Sequence, residues 1–253
     1  MKNYQTSASS ARKKEILWLL SNEGHLRISE LRRRFSVSEM TIRRDLYALA
    51  ETGQVLRTPG GAALVRTITF ERDFADRLRK NSREKDKIGK AAAALVEHNE
   101  SIVLDSGTTT LNIAHYLRGR KDITVITSSL AVLDDLQSAR VELTGGKYRQ
   151  SSLDMVGRQV ADTLRKIHAN KVFFGAAALS FKAEIMVNDP EEPRELLKAG
   201  RQRILVIDSS KIGKEALYFY CRIADCDLII VDSGVKDEDL GRLRKITNAI
   251  VAE

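Results

Sequence analysis

The sequence predicts an α/β protein in two parts. The first is a small helix-turn-helix unit closed by a β-ribbon wing. The second is a Rossmann-like layered domain with a mainly parallel sheet. Three observations predict this. Residues 28–65 hold two short amphipathic helical patterns around a tight turn, then an Arg- and Gly-rich hairpin. From about residue 85 onward, short β-branched runs alternate with helical patterns. The charge is divided in the same way: residues 1–66 hold 12 Lys/Arg against 6 Asp/Glu, while the remaining 187 hold 30 against 28.

The elements follow in order. Residues 1–14, MKNYQTSASSARKK, lack an apolar signal core and read as a frayed polar tail. Residues 11–22 form a support helix with Ile16, Leu17, Trp18 and Leu20 as its apolar contacts. In the helix Ile28–Phe35, Ile28, Leu31 and Phe35 share one face, and Arg32, Arg33 and Arg34 take the other. Ser36-Val37-Ser38 makes the turn, with Val37 plugging the core and Ser38 as N-cap of the next helix. There Ile42, Leu46 and Leu49 form the buried stripe, which leaves Thr41, Arg43, Arg44 and Tyr47 facing elsewhere. Gly53 ends the helix at C′. Residues 54–57 and 62–65 pair around Thr58-Pro59-Gly60-Gly61, with Arg57 aimed at a phosphate or the minor groove.

Small and cationic residues at the start of a second helix are what a major-groove reader needs. A basic helix face by itself means no more than a solvated surface. Here the basic residues coincide with a helix-turn-helix and a Gly-rich wing, and that combination points to duplex DNA. The expected contact set is Arg32, Arg33, Ser38, Met40, Thr41, Arg43, Arg44, Tyr47, Arg57 and Gly60.

Composition narrows the rest. Net charge is +8, and the excess sits with the helix-turn-helix, as phosphate contact requires. Two cysteines, Cys221 and Cys226, make neither a disulfide scaffold nor a metal site and read as partly buried, reduced cytoplasmic thiols. The four histidines are scattered, so no metal set is expected. No apolar run approaches the ~20 residues of a membrane span.

Residues 67–84 are charged but carry Phe70, Phe74 and Leu78 at intervals of four, an amphipathic and partly helical linker between domains at 11–66 and 85–253. Strands are expected at 102–104, 123–126, 141–143, 172–174, 204–207 and 228–231. Helices are expected at 85–97, 110–118, 129–138, 153–168, 191–201 and 237–246.

Ligands of such sheets bind beyond the carboxyl ends of the strands. The first strand leads into Asp105-Ser106-Gly107-Thr108-Thr109-Thr110 and a helix start, which suits a phosphate or carboxylate. The second leads to Thr127-Ser128-Ser129, the third to Gly145-Gly146-Lys147-Tyr148-Arg149, and the fifth to Asp208-Ser209-Ser210-Lys211. Each loop alone reads equally well as capping. Their convergence on one sheet edge points to a single anionic, polyhydroxylated ligand. There is no GK[ST] and no G-x-G-x-x-G, so no nucleotide cofactor is expected.

Both halves resemble the DeoR family of bacterial repressors. The first half matches through Arg12-Lys13, Ile16-Leu17, Phe35-Ser36-Val37-Ser38, Thr41 to Leu46, Leu49, Gly53, Leu56-Arg57 and Gly60-Gly61-Ala62. The second matches through Lys87-Ile88-Gly89, Ala91-Ala92, Leu104 to Thr110, Thr127 to Leu130, Gly145 to Arg149, Val156-Gly157, Asp208 to Lys211 and Val231-Asp232. The resemblance runs from about residue 11 to 250. It implies a sensor domain related in fold to ribose-phosphate isomerases, with the Gly-Thr loop taking the phosphate of a sugar. Family members often place a Glu before the fifth strand, with Lys-Arg four and five residues on. Here those positions are Asp189, Pro193 and Arg194, so the resemblance implies an altered sugar-facing pocket.

The favoured reading is a cytoplasmic repressor of a carbohydrate-catabolism operon, a homo-dimer or tetramer controlled by a phosphorylated sugar. The effector set is residues Asp105 to Thr110, Thr127 to Ser129, Gly145 to Lys147, Arg149, Asp189, Asp208 and Lys211. A phosphosugar isomerase on a DNA anchor is the competing class, with Asp105, Asp189 or Asp208 as its base. A third reading leaves the second domain as a dimerisation module with an empty pocket.

Overall fold

The computed structural model describes residues 2–23, 25–51, 55–58, 60–64, 74–189 and 193–253. The chain divides into two compact units, Met1–Thr67 and Ile68–Glu253.

The first unit is built from α1 (Lys2–Glu23), β1 (His25–Arg27), α2 (Ile28–Phe35), α3 (Glu39–Glu51), β2 (Val55–Thr58) and β3 (Gly61–Leu64). Its core gathers Ile16, Leu19 and Leu20 of α1, Ile28 and Leu31 of α2, and Ile42, Leu46 and Leu49 of α3, with Val37 and Phe35 packed at its edge. Burying each such side chain contributes about 1.5–3 kcal/mol. The expected stripes of α2 and α3 are therefore the observed ones.

The structure corrects α1 in two ways. The polar tail is helical from Lys2. Trp18 is 59% exposed, and Leu19 occupies the core. In the run Ile-Leu-Trp-Leu-Leu every residue is apolar, so the register is set by Ile16, Leu19 and Leu20 sharing one face at spacings of three and four. Strand β1 was not foreseen. It makes the wing three-stranded, in the order β1-β3-β2. The hairpin pairs Val55 with Leu64 and Thr58 with Gly61, one residue from the expected limits. Gly60 takes φ +81, a conformation that suits glycine, and its carbonyl accepts from Ile28 N–H at 2.9 Å. Gly53, Gln54, Pro59, Val65 and Phe70 lie outside the described residues.

The second unit opens with α4 (Phe74–Arg79) and α5 (Ser82–Ala93). Phe74 and Leu78, read from sequence as part of a connector, pack into this unit's own core. Then come β4 (Ser101–Leu104), α6 (Thr108–Tyr116), β5 (Thr124–Thr127) and β6 (Arg140–Leu143). A ribbon follows, β7 (Lys147–Arg149) with β8 (Asp154–Val156), and then α7 (Arg158–Leu164) and β9 (Ala169–Phe174). The chain continues through β10 (Ala178–Leu179), β11 (Glu184–Val187), β12 (Gly200–Ile207), β13 (Tyr218–Arg222), β14 (Leu228–Asp232), α8 (Asp237–Arg244) and β15 (Asn248–Ala252).

Seven parallel strands form the central sheet in the order β15-β14-β12-β9-β4-β5-β6. The six expected strands are all in it. Two apolar layers, one on each face, close over it. The sequence missed β15, the ribbon and a small antiparallel sheet, β10-β11-β13. Three expected helices also differ. Residues 129–138 form turns, because Leu130 N–H donates to Leu153 O (2.8 Å) and Ser129 bridges Asp154, which ties the segment's start to the ribbon instead of to a helix. The expected 153–168 helix is replaced at its start by β8 and shortened to α7. Residues 194–198 form a 3-10 turn, since β12 begins already at Gly200.

Successive strands run outward from β4 to β5 and β6, and the chain then returns to β9 and runs the other way. The order therefore reverses between β4 and β9, and the carboxyl ends of that pair frame a crevice. Helix α6 leaves β4 at this point. It lies close to α5 because Gly89 has no side chain: a Cβ there would stand 2.6 Å from Asn112 Cβ.

Candidate nucleic-acid interface and ligand cavity

In the first unit, Ser38 caps α3. Its Oγ accepts from Thr41 N–H (3.2 Å) and shares a hydrogen bond with Thr41 Oγ1 (2.8 Å). With Ile42, Leu46 and Leu49 buried, α3 turns Met40 (68% exposed), Arg43, Arg44 and Tyr47 (50% exposed) outward, with Thr41 half-buried at its start. Arg43 is ion-paired to Glu39 at 2.7 Å. Arg32 and Arg33 are exposed on α2. Arg57 lies on β2 and its side chain is outside the described atoms. A residue that sequence reasoning left without a role is Asp45, buried on α3. Arg12 Nε donates to it at 2.6 Å and Ser9 Oγ at 3.1 Å.

The second unit has a cavity of about 310 Å³ at the β4/β9 crevice. Five strand-end or loop segments and the α4–α5 region line it. After β4 come Asp105 to Thr109, and after β9 come Gly175 to Ala177. Asp208, Ser210, Lys211 and Lys214 follow β12, while Val187, Asn188 and Asp189 end β11. Arg149 reaches in from the ribbon, α4 and α5 add Arg77 and Lys85, and the turn between them adds Lys80 and Asn81.

Asp105 braces the loops. One carboxylate oxygen accepts from Ser106 N–H (2.7 Å), the other from Gly175 N–H (3.1 Å). Thr110 is fully buried and caps α6 from within: its Oγ1 donates to Asp105 O (2.7 Å) and accepts from Gly107 N–H (2.9 Å). Thr108 and Thr109 are then the first helical residues, and helix geometry gives their N–H groups no carbonyl partner. These donors border the cavity at the positive end of the helix dipole.

The ionised groups form two clusters. In the first, Asp208 accepts from Asn81 Nδ2 (2.7 Å) and from Ser210 Oγ, and stands 4.0 Å from Lys211 Nζ. Burial pushes the Asp208 carboxyl up, but Lys211, the two hydrogen bonds and Lys85 outweigh it and hold it low. Lys211 donates to Ala176 O at 2.5 Å, and burial lowers its pKa. Lys85, buried and donating to Arg77 O, is lowered to about 8 by burial and by Lys211, with Arg77 and Lys80 adding to the effect. In the second cluster, Arg149 donates to buried Asp154 (2.8 and 3.0 Å) and pairs with Asp189. Ser106 Oγ donates to the same Asp154 at 2.6 Å. Phe74 N–H donates to Ser151 O (3.2 Å), which fixes the start of α4 to the turn of the ribbon.

Of the sixteen effector residues read from sequence, the structure gathers Asp105 to Thr109, Arg149, Asp189, Asp208 and Lys211 around this cavity. Thr110 lies just behind it. Thr127, Ser128 and Ser129 do not line it: Thr127 Oγ1 accepts from Ser129 N–H and holds the turn after β5. Gly145, Gly146 and Lys147 follow the edge strand β6 and lie off the crevice as well. Sequence reading missed Arg77, Lys80, Asn81 and Lys85, which come from α4, α5 and the turn between them, ahead of the sheet. It also missed Gly175, which the reversal of strand order would have flagged.

Cys221 and Cys226 are both buried, and Cys226 is pushed far up by its hydrogen bond with Cys221 and by burial. Among the described residues, no cluster of three His, Cys, Asp or Glu is placed to hold a metal, and no helix is long and apolar enough to cross a membrane.

A capped recognition helix with a wing on one unit, and a cation-rich crevice in a parallel sheet on the other, define a two-part transcriptional regulator. Residues 12–67 match the DeoR-like helix-turn-helix domain, and residues 80–233 match the DeoR C terminal sensor domain. The chain belongs to the DeoR family. It is 33% identical to the HTH-type transcriptional regulator GolR of Listeria innocua, over 88% of this chain and 91% of that one. It is 31% identical to the HTH-type transcriptional repressor GlcR of Bacillus subtilis (86% of each), and 30% identical to the lactose phosphotransferase system repressor of Lactococcus lactis (96% and 98%). Ribose 5-phosphate isomerase A from Methanocaldococcus jannaschii overlaps 53% of this chain and 55% of that one at 15% identity, with a TM-score of 0.40, a likeness too slight to carry an argument.

Proposed function

We propose that the chain is a cytoplasmic repressor of a carbohydrate-catabolism operon, acting as a homo-oligomer whose grip on operator DNA is relaxed by a phosphorylated sugar. The observation that carries this reading is the charge of the cavity. Six cationic side chains line it: Arg77, Lys80, Lys85, Arg149, Lys211 and Lys214. Against them stand Asp105, Asp189 and Asp208, with Asp154 directly behind Arg149. The excess of two positive charges matches one phosphate dianion, and the N–H groups of Thr108 and Thr109 supply directional donors. Hydroxyls and carboxylates around the rest of the wall suit a polyhydroxylated body.

The name of one relative, the lactose phosphotransferase system repressor, supports the same class. Asp105 and Asp208 are engaged in hydrogen bonds that hold loops, which supports a sensor over an isomerase with a poised base. A ligand acts on DNA only through different affinities for two states of the protein. The test is calorimetry of the full chain with a panel of sugars and their phosphate esters, with operator binding and turnover followed in parallel. Binding of an ester, release of operator and no turnover are expected. Equal affinity for sugar and ester, or conversion of the ester, overturns the reading.

A further inference from the structure

We propose that the effector is the phosphate ester of a disaccharide, and that its second, uncharged sugar unit sits in a separate polar cavity over the ends of β12 and β14. This rests on the reading above, in which the first cavity takes a phosphorylated sugar, and it narrows the class of that sugar.

The second cavity measures about 500 Å³. Its floor is the pair of loops that leave the adjacent strands β12 and β14 at their carboxyl ends. Asp232 fixes that floor. Its carboxylate accepts from Ser209 N–H (2.6 Å), Ser209 Oγ (2.9 Å) and Gly234 N–H (2.8 Å). Gly234 lets the two loops close up, because a Cβ there would stand 2.7 Å from Ser209 Oγ. The first two turns of α5 supply the facing wall with Arg83, Glu84 and Lys87. Asn81 and Ser210 border this cavity and the first one alike. A ligand seated in the first has only to pass these two side chains to enter the second.

The two cavities differ in charge. The first has an excess of cations, which suits a phosphate. In the second, Arg83 and Lys87 stand against Glu84 and Asp232, so a second phosphate would meet no excess. What the second cavity offers is unspent hydrogen bonding. Among the described residues, Arg83 and Glu84 have no hydrogen-bond or ion-pair partner, and Lys87 Nζ reaches Ser233 Oγ at 3.5 Å. Guanidinium and ammonium groups only donate, a carboxylate only accepts, and serine hydroxyls do both. Sugar hydroxyls, each able to donate and to accept, fit that mixture. Apart from Gly234 every lining residue carries a polar side chain, so the wall has no apolar face to offer.

Calorimetry of the full chain tests this with paired probes: glucose 6-phosphate against cellobiose 6′-phosphate, and galactose 6-phosphate against lactose 6′-phosphate. In at least one pair the disaccharide ester is expected to bind at least about tenfold tighter, which is about 1.4 kcal/mol. Ser233→Trp, which fills the second cavity from an exposed position, is expected to abolish that gain. The single-sugar ester does not extend to Ser233, so its affinity reports the fold of the variant. Glu84→Ala removes the free acceptor by a smaller change and is expected to reduce the gain as well. Binding of the esters with no gain in either pair overturns this proposal and leaves the phosphate reading standing, and so does a gain that survives both variants. A third pair sets fructose 6-phosphate against fructose 1,6-bisphosphate. A gain there that Ser233→Trp abolishes makes the second cavity an anion site and overturns the proposal too. Binding of no ester at all overturns both readings.

Discussion

Arg12 Nε meets Asp45 Oδ2 at 2.6 Å, joining the support helix to the recognition helix beneath its outward face. Asp45 is buried and the guanidinium nearly so. Removing one partner leaves the other charge stranded. Asp45→Ala is expected to destabilise the first unit by about 3–5 kcal/mol. Adding Arg12→Ala to it should recover part of that loss, because the stranded cation is gone. Urea denaturation followed by far-ultraviolet circular dichroism measures both, and strictly additive losses would dissolve the pair.

Arg44 and the α2 arginines should fail differently on DNA. Arg44 stands off the buried stripe of α3, and Arg44→Ala is expected to cost about 1–3 kcal/mol on operator and less on random duplex. Arg32→Ala and Arg33→Ala should weaken both equally and flatten the salt dependence by about one unit per contact. Anisotropy titrations at several salt concentrations separate the two behaviours.

Lys211→Ala, and Thr109 replaced by Leu, are expected to abolish the response to a phosphate ester while operator affinity in its absence stays as in the wild type. The first change removes a buried cation, and the second fills the space before the α6 N–H groups. Operator release measured against ester concentration is the readout. A Lys211→Ala protein that still releases at wild-type concentrations would place the ligand elsewhere.

Lys85, lowered to about 8, gives a pH signature. A bound phosphate dianion favours the ammonium, so the complex holds more protons than the free protein. Affinity is then expected to fall as pH rises through about 8, where the phosphate itself is already fully ionised. For folding the sign is opposite: an unfolded lysine titrates near 10.4, so between about 8 and 10.4 the unfolded chain binds more protons and stability rises with pH. Calorimetry and urea midpoints at pH 7, 8 and 9 test both directions, and Lys85→Gln should flatten both profiles.

What could be read from the chain follows from physics that is local. Ile28–Phe35 was legible to the residue because its apolar spacing, arginine face and flanking Ser-Val-Ser turn agree. The six main strands were legible because strands buried on both faces are continuous apolar runs. Residues 129–138 were not, since an apolar pattern at helical spacing does not show that Leu130 N–H is taken by Leu153 O. The loops after β4 and β12 that meet at the cavity were found by the rule that ligands bind at strand ends. The loop after β9 was passed over, and those after β5 and β6 were included although they lie off it, because the rule does not give the order of the strands. That rule is blind to Arg77, Lys80 and Lys85, which arrive from α4, α5 and the turn that joins them.

The bond from Phe74 N–H to Ser151 O carries a consequence of another kind. Thr67 closes the first unit, and only six residues of chain separate it from Phe74. Phe74 is the anchor of α4, which carries Arg77, and Ser151 belongs to the ribbon turn that steers Arg149. One backbone bond thus ties together the piece that carries Arg77 and the piece that carries Arg149, so the two cations cannot shift independently: a rearrangement of either at the cavity is expected to register at Phe74, the first described residue of the second unit.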